Sequence, residues 1–272
     1  MDASVKTTAS AHTDAARAHG TLRALALNVR AGSRQLVENL NVEFRPGEFT
    51  AILGRNGAGK TLALHTFAGL RRADAGTVQL DGIPLGALRR RTIAQRLGVL
   101  LQDLEDSFTT TVLESVLIGR HPHLKPWQWE NADDERRARE ALARVQMSDF
   151  AARSTDTLSG GERRRVAIAS LLAQAPQVFL LDEPTNHLDP HHQIAVLELF
   201  RAQANAGHTV VSTLHDPTLA ARFADRVLLL YGDGRWTEGP VPETLTSESL
   251  SEVYLTPMIE IRAQDRRVFV SA

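Results

Sequence analysis

Eight consecutive residues, Gly54-Arg55-Asn56-Gly57-Ala58-Gly59-Lys60-Thr61, set glycines, an amine and a hydroxyl at the spacing Gly-x-x-x-x-Gly-Lys-[Ser/Thr]. In that pattern the glycines let backbone N–H groups turn toward phosphate oxygens. Lys60 reaches the β/γ-phosphates, and the Thr61 hydroxyl is a ligand for Mg2+. A glycine-rich turn also serves as a plain tight connection, so its flanks decide the reading. Residues 48–53 read as a buried strand and residues 62–67 as a helix, the context that phosphate binding requires. A second chemical pair, Asp182-Glu183, follows the apolar run 177–181, which reads as another buried strand. An aspartate at such a strand end can hold Mg2+ directly or through water, while the next residue faces an attacking water. An Asp-Glu pair is more often a solvated turn, and the glycine loop upstream reverses that preference.

A third segment, Leu158-Ser159-Gly160-Gly161-Glu162, has the form of a capping box, in which Ser159 and Glu162 satisfy each other's backbone donors at a helix start. Capping by itself does not require two consecutive glycines. Gly160 and Gly161 would let a phosphate approach the first N–H groups of that helix, giving a second phosphate-binding end in one chain.

These segments and their order resemble ATP-binding cassette proteins over residues 20–240. Residues 158–162 look like that family's signature motif, Gln102 after the apolar run 97–101 like its glutamine loop, 186–189 like its D-loop, and His215 after 209–214 like its switch histidine. Taken singly, Gln102, Asp189 or His215 would be an ordinary surface or capping residue. The resemblance implies an α/β P-loop nucleotide-binding domain with a mixed, largely parallel core sheet, an antiparallel β subdomain and an inserted α-helical subdomain at about 103–158. It implies ATP and Mg2+ as ligand and cofactor, with Thr61, Gln102 and Asp182 around the metal. It further implies that Glu183 polarises water as general base, that His215 contacts the γ-phosphate and that Gln102 senses metal and water. Asp189 would link two cassettes, because each signature motif (Ser159, Gly160, Gly161, Glu162) closes on the P-loop of a second copy.

Two positions depart from the family pattern. Leu62 stands where a second hydroxyl residue is usual, so an α-phosphate contact there falls to its backbone. Residues 27–32 lack the aromatic that stacks on adenine; Arg30 can stack through its planar guanidinium, although an exposed arginine is ordinary in a loop. Weaker or less base-selective nucleotide binding is expected.

Composition narrows the setting. The 272 residues suffice for a large core, and only one P-loop is present. Cysteine is absent, so disulfides and thiolate metal sites are excluded and secretion is unsupported. Net charge is −1 with the signs interspersed, which gives no extended footprint for nucleic acid. The runs Arg89-Arg90-Arg91 and Arg163-Arg164-Arg165 read as solvated helix faces. His187, His191 and His192 suggest a metal cluster but flank a helix start, where solvated polar residues are common. No apolar stretch approaches the roughly 20 residues needed to cross a bilayer, so a membrane role must come through a partner.

Residues 1–20 read as a disordered leader without a signal peptide's apolar stretch, 21–240 as the ATPase domain and 241–272 as a short C-terminal extension with a helix and a last hairpin. Asp233-Gly234 signals a hairpin. The loop 121–130 holds Trp127 and Trp129, two of the chain's three tryptophans, which are expected to pack onto nearby helices or to line a groove for a permease's cytoplasmic helix. A single cassette without a fused membrane domain resembles bacterial importers. The wording of 181–189 with 119–123 looks most like the ATPases of iron-siderophore, haem or cobalamin permeases. The expected partners are a second copy, a polytopic permease and, indirectly, a periplasmic binding protein, with the chain peripheral on the cytoplasmic face of the inner membrane. An exporter or other nutrient ATPase, or a soluble cassette regulator, are the alternatives; the last usually carries two cassettes or a long coiled coil.

Overall fold

The computed structural model describes residues 20–102, 110–264 and 266–272. The leader reading for 1–20 therefore lies outside the described residues except at Gly20. In chain order, β1 (Leu22–Ala31) and β2 (Arg34–Phe44) form a hairpin. Then come β3 (Phe49–Leu53), α1 (Lys60–Phe67), β4 (Ala75–Leu80), the short β5 (Ile83–Pro84), α2 (Arg90–Arg96) and β6 (Leu97–Leu100). A helical stretch follows with α3 (Val112–Leu117), a 3-10 turn at Ile118–His123, α4 (Ala132–Arg144) and α5 (Gly160–Gln174). The chain continues through β7 (Val178–Leu181), α6 (Pro190–Asn205), β8 (Thr209–Thr213), α7 (Pro217–Phe223), β9 (Arg226–Leu230) and β10 (Trp236–Pro240). It ends with α8 (Val241–Thr244), α9 (Ser247–Tyr254) and the hairpin β11 (Met258–Ala263) and β12 (Arg266–Ser271).

The larger sheet has the order β10-β9-β3-β8-β7-β6, parallel except for β10, and the smaller antiparallel sheet has the order β2-β1-β4-β5. Strand β3 is buried along its whole length, as a parallel strand covered on both faces must be. Its alternate side chains explain the two cores. Phe49, Ala51 and Leu53 face the helical layer with Phe179, Phe200 and Val166, whereas Ile52 faces α1 and the antiparallel sheet with Leu64, Phe67 and Phe44. Edge-to-face ring pairs mark both layers, Phe44–Phe67 at 5.2 Å and Phe179–Phe200 at 5.7 Å.

Helices α3 and α4 pack on α5, the helix that follows the signature segment. The predicted capping box of Ser159 with Glu162 opens α5, and a second one, Thr111 with Glu114, opens α3. Among the described residues, no helix is long and apolar enough to cross a membrane.

Candidate functional site

In the order β3-β8-β7 three parallel strands end side by side, and the chemistry-bearing residues leave from those ends. The glycine loop follows β3. Gly57 and Gly59 have φ of +75° and +100°, left-handed values that side chains with a Cβ adopt only at a cost. Gly54 is needed for space instead, since a Cβ there would stand 2.7 Å from the Leu230 carbonyl oxygen. Between these glycines, Arg55, Asn56 and Ala58 make a turn closed by Ala58 N–H donating to the Arg55 carbonyl at 3.1 Å. Gly59 occupies the N-cap of α1 without a side-chain cap, so the first N–H groups of that helix stay free for an anion.

Lys60 is only 5% exposed and donates to the Gly54 carbonyl at 2.8 Å, so its ammonium is folded into the loop. Burial pushes its pKa below the usual lysine value, partly offset by the Glu183 and Asp182 carboxylates. Leu62 turns its side chain toward the α1 core, which leaves only its backbone for a phosphate.

Asp182, at the end of β7, is fully buried. Its Oδ1 accepts from Thr213 Oγ1 at 2.7 Å and from Thr61 Oγ1 at 3.2 Å, while its Oδ2 has no hydrogen-bond partner. An orphaned buried carboxylate oxygen beside a threonine hydroxyl is a hard-oxygen donor set, and it fits Mg2+. His65 Nε2 lies 3.7 Å from that free oxygen, too far for a hydrogen bond.

Glu183 has a φ of +47° and is 7% exposed. Its N–H donates to Thr213 Oγ1 at 2.8 Å, its Oε1 meets His215 Nε2 at 2.5 Å, and its Oε2 accepts from the Asn186 amide. The two catalytic candidates Glu183 and His215 are thus in direct contact. Gln102 stands exposed at the end of β6, and its backbone carbonyl accepts from Arg164; the segment 103–109 lies outside the described residues.

The signature segment sits elsewhere. Ser159 and Gly160 are exposed, Gly161 is half-buried, and Glu162 Oε2 accepts from Ser159 N–H at 2.7 Å. Hydrogen bonds from Ser159 hold the Glu162 carboxyl below the usual glutamate range, so the cap is ionised at neutral pH. A Cβ on Gly161 would approach the His187 carbonyl at 3.3 Å, so this segment packs on the D-loop turn of its own chain. Asp189 caps α6, accepting from His192 N–H at 2.9 Å and facing His192 Nδ1 at 2.8 Å. His192 serves that helix start, and among the described residues no metal-holding cluster forms.

Three residues of this site escape the sequence reading. Arg164 is the clearest, because it corrects the view of its run as a solvated face: it is 4% exposed, and its guanidinium donates to the carbonyls of Leu101, Asp182 (2.5 Å), Glu183 (2.8 Å) and, more weakly, Pro184. Its spacing from Ile168 and Leu171 places it on the buried stripe of α5, which is the signal that a run of three arginines conceals. Thr213 and His65 lack even that signal. Arg30 is exposed, with its N–H bonded to Asp74 Oδ2 at 2.8 Å.

The model of the family described as ABC transporter matches residues 37–186, the span from β2 through the glycine loop, signature and Asp182-Glu183. The chain belongs to the ABC transporter family. Among its relatives, the hemin import ATP-binding protein HmuV of Streptomyces coelicolor is 42% identical over 85% of this chain and 82% of its own. The iron(3+)-hydroxamate import ATP-binding protein FhuC of Bacillus subtilis is 36% identical over 84% and 85%. In structure, a metal-chelate type ABC transporter in an inward-facing conformation matches 93% of the chain and 97% of its own with a TM-score of 0.81 at 28% identity. A dimeric ATP-binding cassette in a post-hydrolysis state with ADP and Pi matches 81% and 98% with a TM-score of 0.70, also at 28% identity. As a cassette of this family the chain binds and hydrolyses ATP, and the fold is the one that the sequence motifs imply.

Proposed function

We propose that this ABC ATPase works as a homodimer beneath a separate polytopic permease and powers import of an iron-siderophore, haem or cobalamin. The observation that carries the mechanism is the chain of contacts Thr61–Asp182–Thr213–Glu183–His215 at three adjacent strand ends. Thr61 and Asp182, with Gln102 nearby, would hold Mg2+, which supplies Lewis-acid charge neutralisation to the phosphates. Gly54 to Leu62 cradle the phosphates through backbone N–H groups, and Lys60 leaves the Gly54 carbonyl to meet their charge. Glu183 takes the proton of the attacking water, and His215 holds that carboxylate until the γ-phosphate draws the imidazole away.

Ser159, Gly160, Gly161 and Glu162 pack on the D-loop turn of their own chain and serve the ATP of the second copy, with Asp189 at the seam. The dimeric relative supports that assembly. An apolar groove of about 270 Å³ between β6, α3 and α5, lined by Leu101, Ser115, Ile118, Leu158, Ala167 and Leu171, suits a permease's cytoplasmic helix. Neither Trp127 nor Trp129 lines it. The haem and hydroxamate import named for the relatives favours an iron cargo, delivered by a periplasmic binding protein, with this chain peripheral on the cytoplasmic face. Affinity capture of the tagged chain from detergent-solubilised native membranes tests the reading. A polytopic permease with a binding protein for one of these cargoes is expected, and ribosomes or no partner would overturn it.

A further inference from the structure

We propose that the loop carrying Trp127 and Trp129, with the arginines of the neighbouring α2, forms a contact with the anionic surface of a lipid bilayer. The loop is a built feature. His121 Nε2 meets Glu130 Oε1 at 3.0 Å across its base, Gln128 N–H donates to the Lys125 carbonyl at 3.0 Å, and Lys125 N–H donates to Gln128 Oε1 at 3.1 Å. Pro126 and Trp127 are the central residues of that turn, and Trp127 has a φ of +66°, in the place a type II turn usually gives to glycine. Left-handed backbone is costly for a bulky side chain, and here it presents the ring fully to solvent: Trp127 is 100% exposed and Trp129 86%. Both rings therefore contradict the expectation that they pack onto neighbouring helices. A ring with an apolar body and one N–H donor finds its best environment at a membrane–water boundary.

Charge selects the occupant. Arg91 Nε and Gln95 Nε2 both donate to the Pro122 carbonyl, at 2.9 and 2.8 Å, which fastens the start of α2 to the stem of the loop. Arg89, Arg90, Arg91 and Lys125 are exposed, and among the described residues none of the four is ion-paired. Of the acids of the same stretch, Asp134 is matched by Arg120 and Asp133 by Arg136 and Arg137, while Glu130 is turned onto His121 at the base of the loop. Unpaired cations beside exposed tryptophans suit anionic headgroups. The contact is independent of the cargo and of the groove assigned to the permease.

The test uses the full chain with vesicles of phosphatidylcholine containing 30% phosphatidylglycerol (about that fraction gives a strongly negative surface) and with pure phosphatidylcholine vesicles. In a Trp236→Phe background the loop pair are the only tryptophans, so their emission reports the loop alone. Flotation with the anionic vesicles, a blue shift of that emission and quenching by brominated acyl chains are expected. Trp127→Ala/Trp129→Ala should weaken binding about tenfold or more, and each Arg→Gln change among 89–91 about fivefold. ATP-induced thermal stabilisation, which reads the P-loop, verifies that each variant is folded and keeps a failure here distinct from a failure of the ATPase reading. Equal binding by the double alanine variant, equal binding to neutral vesicles, or an emission shift seen only with solubilised permease would each overturn the proposal.

Discussion

The two helix starts that face phosphate in the proposed dimer, α1 and α5, differ in how completely each satisfies itself. The start of α5 is closed on itself: Ser159 and Glu162 satisfy one another's backbone donors, the segment is largely exposed, and Arg163 donates to the Leu158 carbonyl at 2.7 Å. The start of α1 carries no side-chain cap, buries an ammonium against a carbonyl, and leaves a carboxylate oxygen of Asp182 without a partner. Satisfied polar groups stabilise the empty protein, and unsatisfied ones are stabilised only by a ligand. One end is therefore prepared to bind by itself, while in the proposed dimer the other would act only when a second copy brings a nucleotide to it.

The largest effect that could break this contrast is at the base. Glu183→Gln should lower steady-state ATP hydrolysis by about 10²–10⁴-fold while ATP still closes a dimer, read by light scattering. Unchanged turnover would remove Glu183 from its role. At the other end, Gly161→Asp should cut turnover by roughly a hundredfold, since it sets a carboxylate where the partner's phosphate approaches, yet leave nucleotide binding by its own P-loop intact in a filter assay. Loss of binding in the monomer would mean that the two ends are not independent.

Arg164→Ala should cost about 3 kcal/mol of folding stability, because it strips a charged donor from several buried carbonyls at once; thermal melting of the nucleotide-free protein reads this. Lys60→Met should raise that stability by about 1 kcal/mol while abolishing the ATP-induced shift. The sign follows from its depressed pKa. The unfolded chain holds the lysine proton more tightly than the native one, so stability rises with pH as the unfolded value near 10.5 is approached, and the Met variant lacks that slope. Smallest is base choice: with no ring on β1 near Arg30, GTP should compete with ATP to within about tenfold, because no aromatic contributes stacking. A strong preference for ATP would show that another group selects the base.

Much of this site was legible because its parts are contiguous. A P-loop needs its glycines, amine and hydroxyl within one turn, a strand end delivers Asp182 and Glu183 together, and a capping box spans four residues, so each leaves a local pattern. The buried strands β3 and β7 and the helix α1 followed from apolar runs and their flanks. The residues that join those parts left no such trace. Arg164 reads as one of three surface arginines until α5 turns it inward, and Thr213 is one more β-branched residue until β8 lies between β3 and β7.

The sequence by itself determined which chemistry the chain performs and the order of its elements, because phosphate and metal chemistry depends on short-range groups fixed by local backbone geometry. Only the tertiary structure decided that Glu183 rests on His215, that Asp182 Oδ2 is left open, that Arg164 ties the end of β6 to the end of β7, and that Trp127 and Trp129 stand in solvent. Those facts depend on contacts between residues far apart in the chain and on burial, which parallel strand order and packing set and no short window of sequence encodes.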